Sequence, residues 1–276
     1  MGGAELVQVS SDGPPGDKAR FVRGVEQALL AGEADVGVHS AKDVPAEVPE
    51  GLVIAAVPSR EDAADVWIGV GSSLDDVPEG ARVGTASLRR RAQLLATRPD
   101  LKVEEIHGNV DTRLSKLGKG EVDAIVLAAA GLRRLGREGE AAFSIPAEAM
   151  TPAAGQGALV LQARADDEAT RAAVAKVSDD VAMRELIAER TVVALLEATC
   201  ATPIGVHARI APITEKAASR ERVVIDAFVG LPNGSEWLRD RVEGDAHRPK
   251  AVGEQLAERL VATGAGDILN RAESWG

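Results

Sequence analysis

The chain has 276 residues, a formal net charge of −11, 45% hydrophobic and 2% aromatic content, no Tyr and one Cys. That length suits roughly two domains, or three small ones, and the acidic balance argues against a nucleic-acid partner, which calls for a basic face. No apolar run approaches a membrane span and one Cys forms no internal disulfide, so the expectation is a cytosolic chain with a core of Val, Leu, Ile and Ala and a free thiol at Cys200.

In chain order, Ala4 to Ser10 alternates and predicts a strand, and Ser11 to Lys18 predicts a mobile loop rich in Gly, Pro and Asp. From Ala19 to Ala31 the apolar positions Phe21, Val25, Ala28 and Leu29 share a helical face, with Gly32 as its stop. Val36 to Ser40 reads as a buried strand that turns polar at Lys42-Asp43, and Val44-Pro45 leads away extended, because Pro disfavours helix before it. Ligands in α/β proteins bind at the carboxyl ends of strands, so Lys42 and Asp43 are candidates to hold an anion and to stabilise a cation. An ordinary ion pair on a loop is an equal reading of that decapeptide alone.

Leu52 to Val57 is a further strand, and the polar stretch Pro58 to Asp65 reads as a crossing between domains. Strand and helix then alternate: Val66 to Val70, Arg82 to Ser87 followed by a helix Leu88 to Ala96, Leu101 to Ile106 followed by a helix bearing Arg113, and Asp123 to Ala128 followed by a short helix with Arg133 and Arg134. The alternation predicts a mainly parallel sheet flanked by helices. The hydroxyl turn Thr85-Ala86-Ser87 opening a helix is a ready anion site, since backbone N–H groups and the helix dipole point at it. Pro152 to Gly157 reads as a hinge before a strand Ala158 to Arg164. Helices over Asp167–Val177 and Asp180–Glu197 follow, with Cys200 just past the second. Three consecutive strands, Ile204–Ile210, Val223–Val229 and Glu236–Val242, should pair antiparallel under a last helix, Pro249 to Thr263. No metal-spaced ligand cluster and no Gly-rich phosphate loop is present.

Six segments together resemble the porphobilinogen deaminase (hydroxymethylbilane synthase) family: His39 to Pro45 (HSAKDVP), Gly84 to Arg90 (GTASLRR), Gly108 to Leu114 (GNVDTRL), Ala130 to Gly136 (AGLRRLG), Gly155 to Ala158 (GQGA) and Cys200 to Gly205 (CATPIG). Each is weak alone; in the family's order and spacing they are highly specific. The resemblance implies an α/β fold of two periplasmic-binding-protein-like domains with a cleft between them, plus a small C-terminal α+β domain. The corresponding expected boundaries are 1–58 with 158–176, 62–153, and 178–276.

It further implies a dipyrromethane cofactor joined by a thioether to Cys200. Four porphobilinogen units are added to it with loss of ammonia, and hydrolysis releases hydroxymethylbilane. Asp43 takes the catalytic role, its carboxylate stabilising the positive charge that develops on the reacting pyrrole. Lys42, Thr85, Ser87, Arg89, Arg90 and Arg113 are implied to hold the cofactor's carboxylates, and Arg134, His107 and Phe21 to face the substrate. Each bond to a charged group contributes about 1.5–3 kcal/mol. For any single Arg the sequence allows a solvated helix face, and for Phe21 core packing. His107 stands where many members carry Arg, which weakens a carboxylate contact and makes it pH-sensitive. A monomer is the family expectation, with no nucleic-acid or membrane partner.

Members begin with a strand and helix bearing a Thr-Arg-x-Ser-x-Leu-Ala motif, about 25–35 residues with connections, that has no counterpart here. The expectation is an incomplete first domain and an unstable or nearly inactive chain. Two alternatives remain open at this point: a module that only captures an anionic metabolite, and a catalytically impaired relative.

Overall fold

The computed structural model describes residues 5–9, 19–199, 202–212 and 221–275. Its elements gather into three sheets. In the first, β1 (Gly37–Ser40) and β2 (Leu52–Ala56) both pair antiparallel with β8 (Leu159–Arg164), in the order β1-β8-β2. Helix α1 (Ala19–Leu30) lies against these strands.

The second sheet has five strands in the order β5-β4-β6-β3-β7: β3 is Asp65–Gly69, β4 Arg82–Gly84, β5 Lys102–Glu104, β6 Ala124–Ala128 and β7 Phe143–Ile145. Helix α2 (Leu88–Thr97) follows β4, α3 (Val110–Gly118) follows β5 and α4 (Ala129–Arg134) follows β6. Both faces are covered. Trp67, Val83, Leu94 and Val126 build the core on one side, and Val66, Ile68, Ile125, Leu127 and Leu132 the core on the other. Strands buried on both faces read as continuous apolar runs, which is why this region was legible.

The third sheet is an antiparallel meander, β9 (Ile204–Pro212), β10 (Glu221–Gly230) and β11 (Trp237–Asp245). Its core includes residues of α6 (Asp180–Leu195), α7 (Pro249–Ala262) and α8 (Ala265–Glu273). Helix α5 (Glu168–Ala175) precedes α6 and is capped by Asp167, whose carboxylate accepts from the Thr170 N–H.

Helix α6 serves two cores. Ala182 and Leu186, one turn apart, are buried with Val22, Val44 and Val160 of the first sheet's core. Ala188 and Val192, on a different side of the helix, belong to the core of the meander. Between those faces stands Glu189, with no exposed surface. Its carboxylate accepts from Arg60 Nη1 at 2.8 Å and Nη2 at 3.1 Å, from the Gly155 N–H at 2.6 Å and from the Ala208 N–H at 2.7 Å. Arg60 lies on the chain passing from the first sheet to the second, and Gly155 on the chain returning. One carboxylate therefore ties both crossings to the meander.

Three expectations need correction. Residues 5–9 form no strand: Leu6 is 98% exposed, and among the described strands none pairs with this segment. Alternation supplies a candidate, but a strand exists only where a neighbour takes its backbone hydrogen bonds. The middle sheet is mixed, since β4 pairs parallel with β5 and β6 whereas β3 pairs antiparallel with β6 and β7. Strand β3 is entered directly from the first sheet rather than through a helix, so it runs the opposite way. Strand β7 and helix α8 were not foreseen. The expected mobile loop at 11–18 lies outside the described residues.

Replacing Glu189 by Ala leaves the buried Arg60 guanidinium with only the longer Glu185 contact at 3.4 Å as an ion pair, which costs about 3–5 kcal/mol. Urea unfolding of the E189A protein should show that loss, with both the first and third sheets less protected in amide exchange.

Candidate active site

The turn at the end of β1 is where the site begins. Ser40 is extended, Ala41–Asp43 forms one turn of 3-10 helix, and Val44 returns to the extended region ahead of Pro45. The Ala41 N–H donates to the Ala158 carbonyl at 3.0 Å. Gly155 presses on the same turn with φ +71°, and a Cβ there would meet Ala41 Cβ at 2.8 Å and Lys42 N at 3.0 Å. Only glycine allows the returning crossing so close to Lys42.

Lys42 and Asp43 are half-buried, and neither side chain makes a hydrogen bond or ion pair with another described residue. Burial, and next the Arg90 cation, push the Lys42 ammonium down to about 8, against the opposing pull of Asp43 and Asp65. Among the described residues Lys42 thus feels nearby carboxylates but forms no ion pair with them.

Helix α2 supplies the arginines. Thr85, 3% exposed, accepts the Ser87 N–H on its hydroxyl at 3.1 Å, and Ser87 caps α2 by accepting from the Arg90 N–H. Arg89 and Arg90 point inward to Asp65, which opens β3 and has no exposed surface. Arg89 Nη1 donates to Asp65 Oδ2 at 2.7 Å and to the Thr151 carbonyl at 2.7 Å. Arg90 donates to Asp65 Oδ1 from Nη2 at 2.8 Å and from Nε at 3.1 Å, and to the Val126 carbonyl at 2.9 Å. Gln156 Nε2 adds a bond to the same oxygen at 2.9 Å. Burial alone would push the Asp65 carboxyl up, but the two guanidiniums override it and hold it well below the usual carboxylate range.

Arg113, on α3, is half-buried and donates from Nε to the Gly108 carbonyl at 2.9 Å. Burial and then the charge of Arg90 push its guanidinium down, with no carboxylate opposing them. Arg90 therefore repels both Lys42 and Arg113 across the ends of β1, β4 and β5, and Arg89 and Arg90 share the buried anion Asp65. Such a crowd is stabilised by a ligand with several carboxylates.

The other expected residues sit elsewhere. Arg134 is exposed, and its Nη2 donates to the Gly157 carbonyl at 2.7 Å, while its neighbour Arg133 pairs with Glu61 at 2.7 Å. The end of α4 thus grips both crossings. His107 is exposed and lies 2.7 Å from Glu105. No contact among the described residues joins Arg134 or His107 to the cationic cluster. The side chain of Phe21 and the whole of Cys200 lie outside the described residues.

The sequence did not mark Asp65, Arg60 or Glu189, which with Gln156 form the buried polar network behind the cluster. Asp65 left a signal in hindsight, a lone acid opening an otherwise apolar strand.

The model of porphobilinogen deaminase, dipyromethane cofactor binding domain, matches residues 8–172, and that of the porphobilinogen deaminase C-terminal domain matches 183–262. The chain belongs to the porphobilinogen deaminase family. Porphobilinogen deaminase of Brevibacillus brevis is 45% identical over 255 residues, covering 92% of this chain and 80% of that protein. That of Desulforudis audaxviator is 46% identical over 260 residues, covering 94% and 82%. Among solved structures, a TRAP periplasmic solute binding protein from Ralstonia eutropha H16 overlays with a TM-score of 0.38 at 14% identity, covering 62% of this chain and 66% of that one. The resemblance carried by the six motifs is borne out. No described helix is long and apolar enough to cross a membrane.

The Asp65 pair sets a pH dependence. Its folded value lies below the unfolded one, about 3.9, so its stabilisation is present above that pH and is lost as pH falls below it. Asp65→Asn should cost about 3–5 kcal/mol near neutrality by leaving two arginines without a counter-ion. The gap to wild type in urea midpoints should narrow below about pH 4.

Proposed function

We propose that the chain performs the porphobilinogen deaminase reaction, the stepwise condensation of four porphobilinogen units with loss of ammonia and final hydrolysis to hydroxymethylbilane, in tetrapyrrole biosynthesis. The observation that carries this reading is the clustering of the cations Lys42, Arg90 and Arg113, with Lys42 and Arg113 pushed down by burial and then by the charge of Arg90, beside the Asp43 carboxylate. Every pyrrole of this pathway bears an acetate and a propionate, so a growing oligopyrrole brings many carboxylates to a site that has cations in excess.

The donor set fits the dipyrromethane group. Lys42 and Arg113 have unengaged charge for its carboxylates, Thr85 and Ser87 add hydroxyls at the start of α2, and Cys200 is the point of attachment. When bound, that group supplies the nucleophilic carbon to which each new unit is joined. Arg89 and Arg90 act in two ways: their bonds to Asp65 fix the floor of the site, and their shared positive charge raises the potential above it.

Asp43 meets the substrate. As the aminomethyl C–N bond of porphobilinogen breaks, ammonia leaves with the bonding pair and the remaining cation is delocalised onto the pyrrole nitrogen. The Asp43 carboxylate accepts the pyrrole N–H and stabilises that charge as it forms. Nearby Lys42 holds a ring carboxylate, which fixes the pyrrole in the plane that Asp43 requires. Arg134, His107 and Phe21 are assigned to the approach of substrate, and the working state is a cytosolic monomer. The first sheet with β8, the five-stranded sheet and the meander correspond to domains at 1–58 with 158–176, 62–153 and 178–276.

Intact-protein mass spectrometry after expression with porphobilinogen present tests the assignment. The wild-type chain should carry the added mass of a dipyrromethane and a Cys200→Ser chain none; an unmodified wild-type mass would overturn the reading. Asp43→Ala should keep the fold and the added mass, yet lower turnover about a hundredfold or more.

Lys42 gives a second test. With its folded value at about 8, a bound carboxylate should restore the proton above that pH. Porphobilinogen binding should therefore take up protons between about pH 8 and 10, read by calorimetry in buffers of different ionisation enthalpy. Lys42→Met should abolish that uptake.

A further inference from the structure

The chain immediately after the Lys42-Asp43 turn is held by a residue from a distant part of the sequence. Arg190, on α6, donates from Nη1 to the Val44 carbonyl at 3.1 Å, and from Nη2 to the Pro45 carbonyl at 2.7 Å and the Ala46 carbonyl at 2.9 Å. One guanidinium thus takes three successive carbonyls, 144 to 146 positions away in sequence. The segment has few other ties: the Val44 N–H donates to Ala41 within the turn itself, and Pro45 has no N–H to offer.

Arg190 is a half-buried cation whose hydrogen bonds to described residues go to three successive carbonyls. Most arginines in this fold meet carboxylates, as Arg60 meets Glu189 and Arg89 meets Asp65. Among the described residues no carboxylate pairs with Arg190, and burial pushes its guanidinium down unopposed. Placing an uncompensated charge against carbonyls is costly where stability is all that is at stake. A planar fork with five donors is, however, well suited to fixing the path of a backbone.

Its place on α6 explains the reach. Ala182, Leu186 and Arg190 recur every four residues, so they lie along one face of the helix. The first two are buried in the core that also contains Ala41 and Val44. Arg190 continues that face by one turn, to the point where the chain leaves the core after Val44. The adjacent residue, Glu189, ties down both crossings. The same helix turn therefore fixes the crossings and the exit of the catalytic turn.

We propose that Arg190 is a positioning residue for Asp43. Its three-carbonyl clamp sets the direction in which the chain leaves the turn, and hence where the Asp43 carboxylate stands relative to the reacting pyrrole. The proposal rests on the assignment of Asp43 made above. A carboxylate that must meet a pyrrole N–H in one geometry is sensitive to small displacements of the backbone carrying it.

The test compares Arg190→Met, of similar length but without donors, and Arg190→Lys, which keeps a charge and some donors, in the full chain. Amide exchange read by mass spectrometry should quicken about tenfold in residues 41–48 of the Met variant, with β8 and the meander unchanged. Its kcat with porphobilinogen should fall about ten- to a hundredfold while KM stays within about threefold. The Lys variant should recover much of both. Unchanged exchange in 41–48 overturns the proposal, as does faster exchange there with kcat intact. Protection lost over all of α6 and the meander, with turnover falling only as the folded fraction falls, assigns Arg190 a merely structural role and also overturns it. If wild-type protein consumes no porphobilinogen, the functional reading fails on that result, and the exchange data alone decide the clamp.

Discussion

A carboxylate without exposed surface, Glu189, holds the arrangement of the three sheets. Two passages of chain join the first sheet to the second, and each offers Glu189 a donor: the Arg60 guanidinium on the outward passage and the Gly155 N–H on the return. The Ala208 N–H on β9 supplies a third. Burial raises the cost of ionising Glu189, but Arg60 and His207 override it and keep its carboxyl below the ordinary range. A buried ion pair adds little net stability over an apolar pair of the same volume, yet breaking one partner is expensive. Its value here is geometric, because the pair fixes which residues of three separate sheets lie together.

The site follows from that constraint through charge. Asp65 lies at the start of β3, just where the outward passage ends, and it gathers Arg89, Arg90 and Gln156. One anion cannot neutralise two guanidiniums, so the local balance stays positive, and Lys42 and Arg113 add to it. Burial first, and the charge of Arg90 next, depress Lys42 and Arg113. A protein with a net charge of −11 keeps such a cluster only at a local cost. In the proposed function that cost is recovered when a polycarboxylate ligand binds.

Much of this was legible in the sequence and some was not, for physical reasons. Lys42 and Asp43 stood out because the polar tip follows an apolar strand, and Pro45 fixes the direction of exit. The hydroxyl turn before α2 was legible because Ser87 is a favourable N-cap. Arg89 and Arg90 stood out as candidates but not as partners of Asp65, since no local pattern links residues 24 and 25 positions apart. Glu189 was hidden for the same reason, set in a helix whose faces serve two cores, so that no single apolar stripe marks its orientation. Residues 5–9 show the converse failure. A correct local pattern gave no strand, because pairing is a property of neighbours rather than of the segment.

Helix α6 draws these strands of argument together. It is apolar on two faces because it packs on two sheets, and Glu189 and Arg190 sit at the boundary, where they reach backbone. Glu189 takes amides from both the returning crossing and β9, and Arg190 takes carbonyls after the turn of Asp43. The helix ends at Leu195, a few residues before Cys200. In the proposed reaction the chain must grow from a fixed thiol while each new unit meets the same carboxylate. That demands a rigid relation between the element leading to the attachment point and the turn carrying Asp43. A helix packed into both cores, and bonded directly to the backbone beside that turn, supplies it.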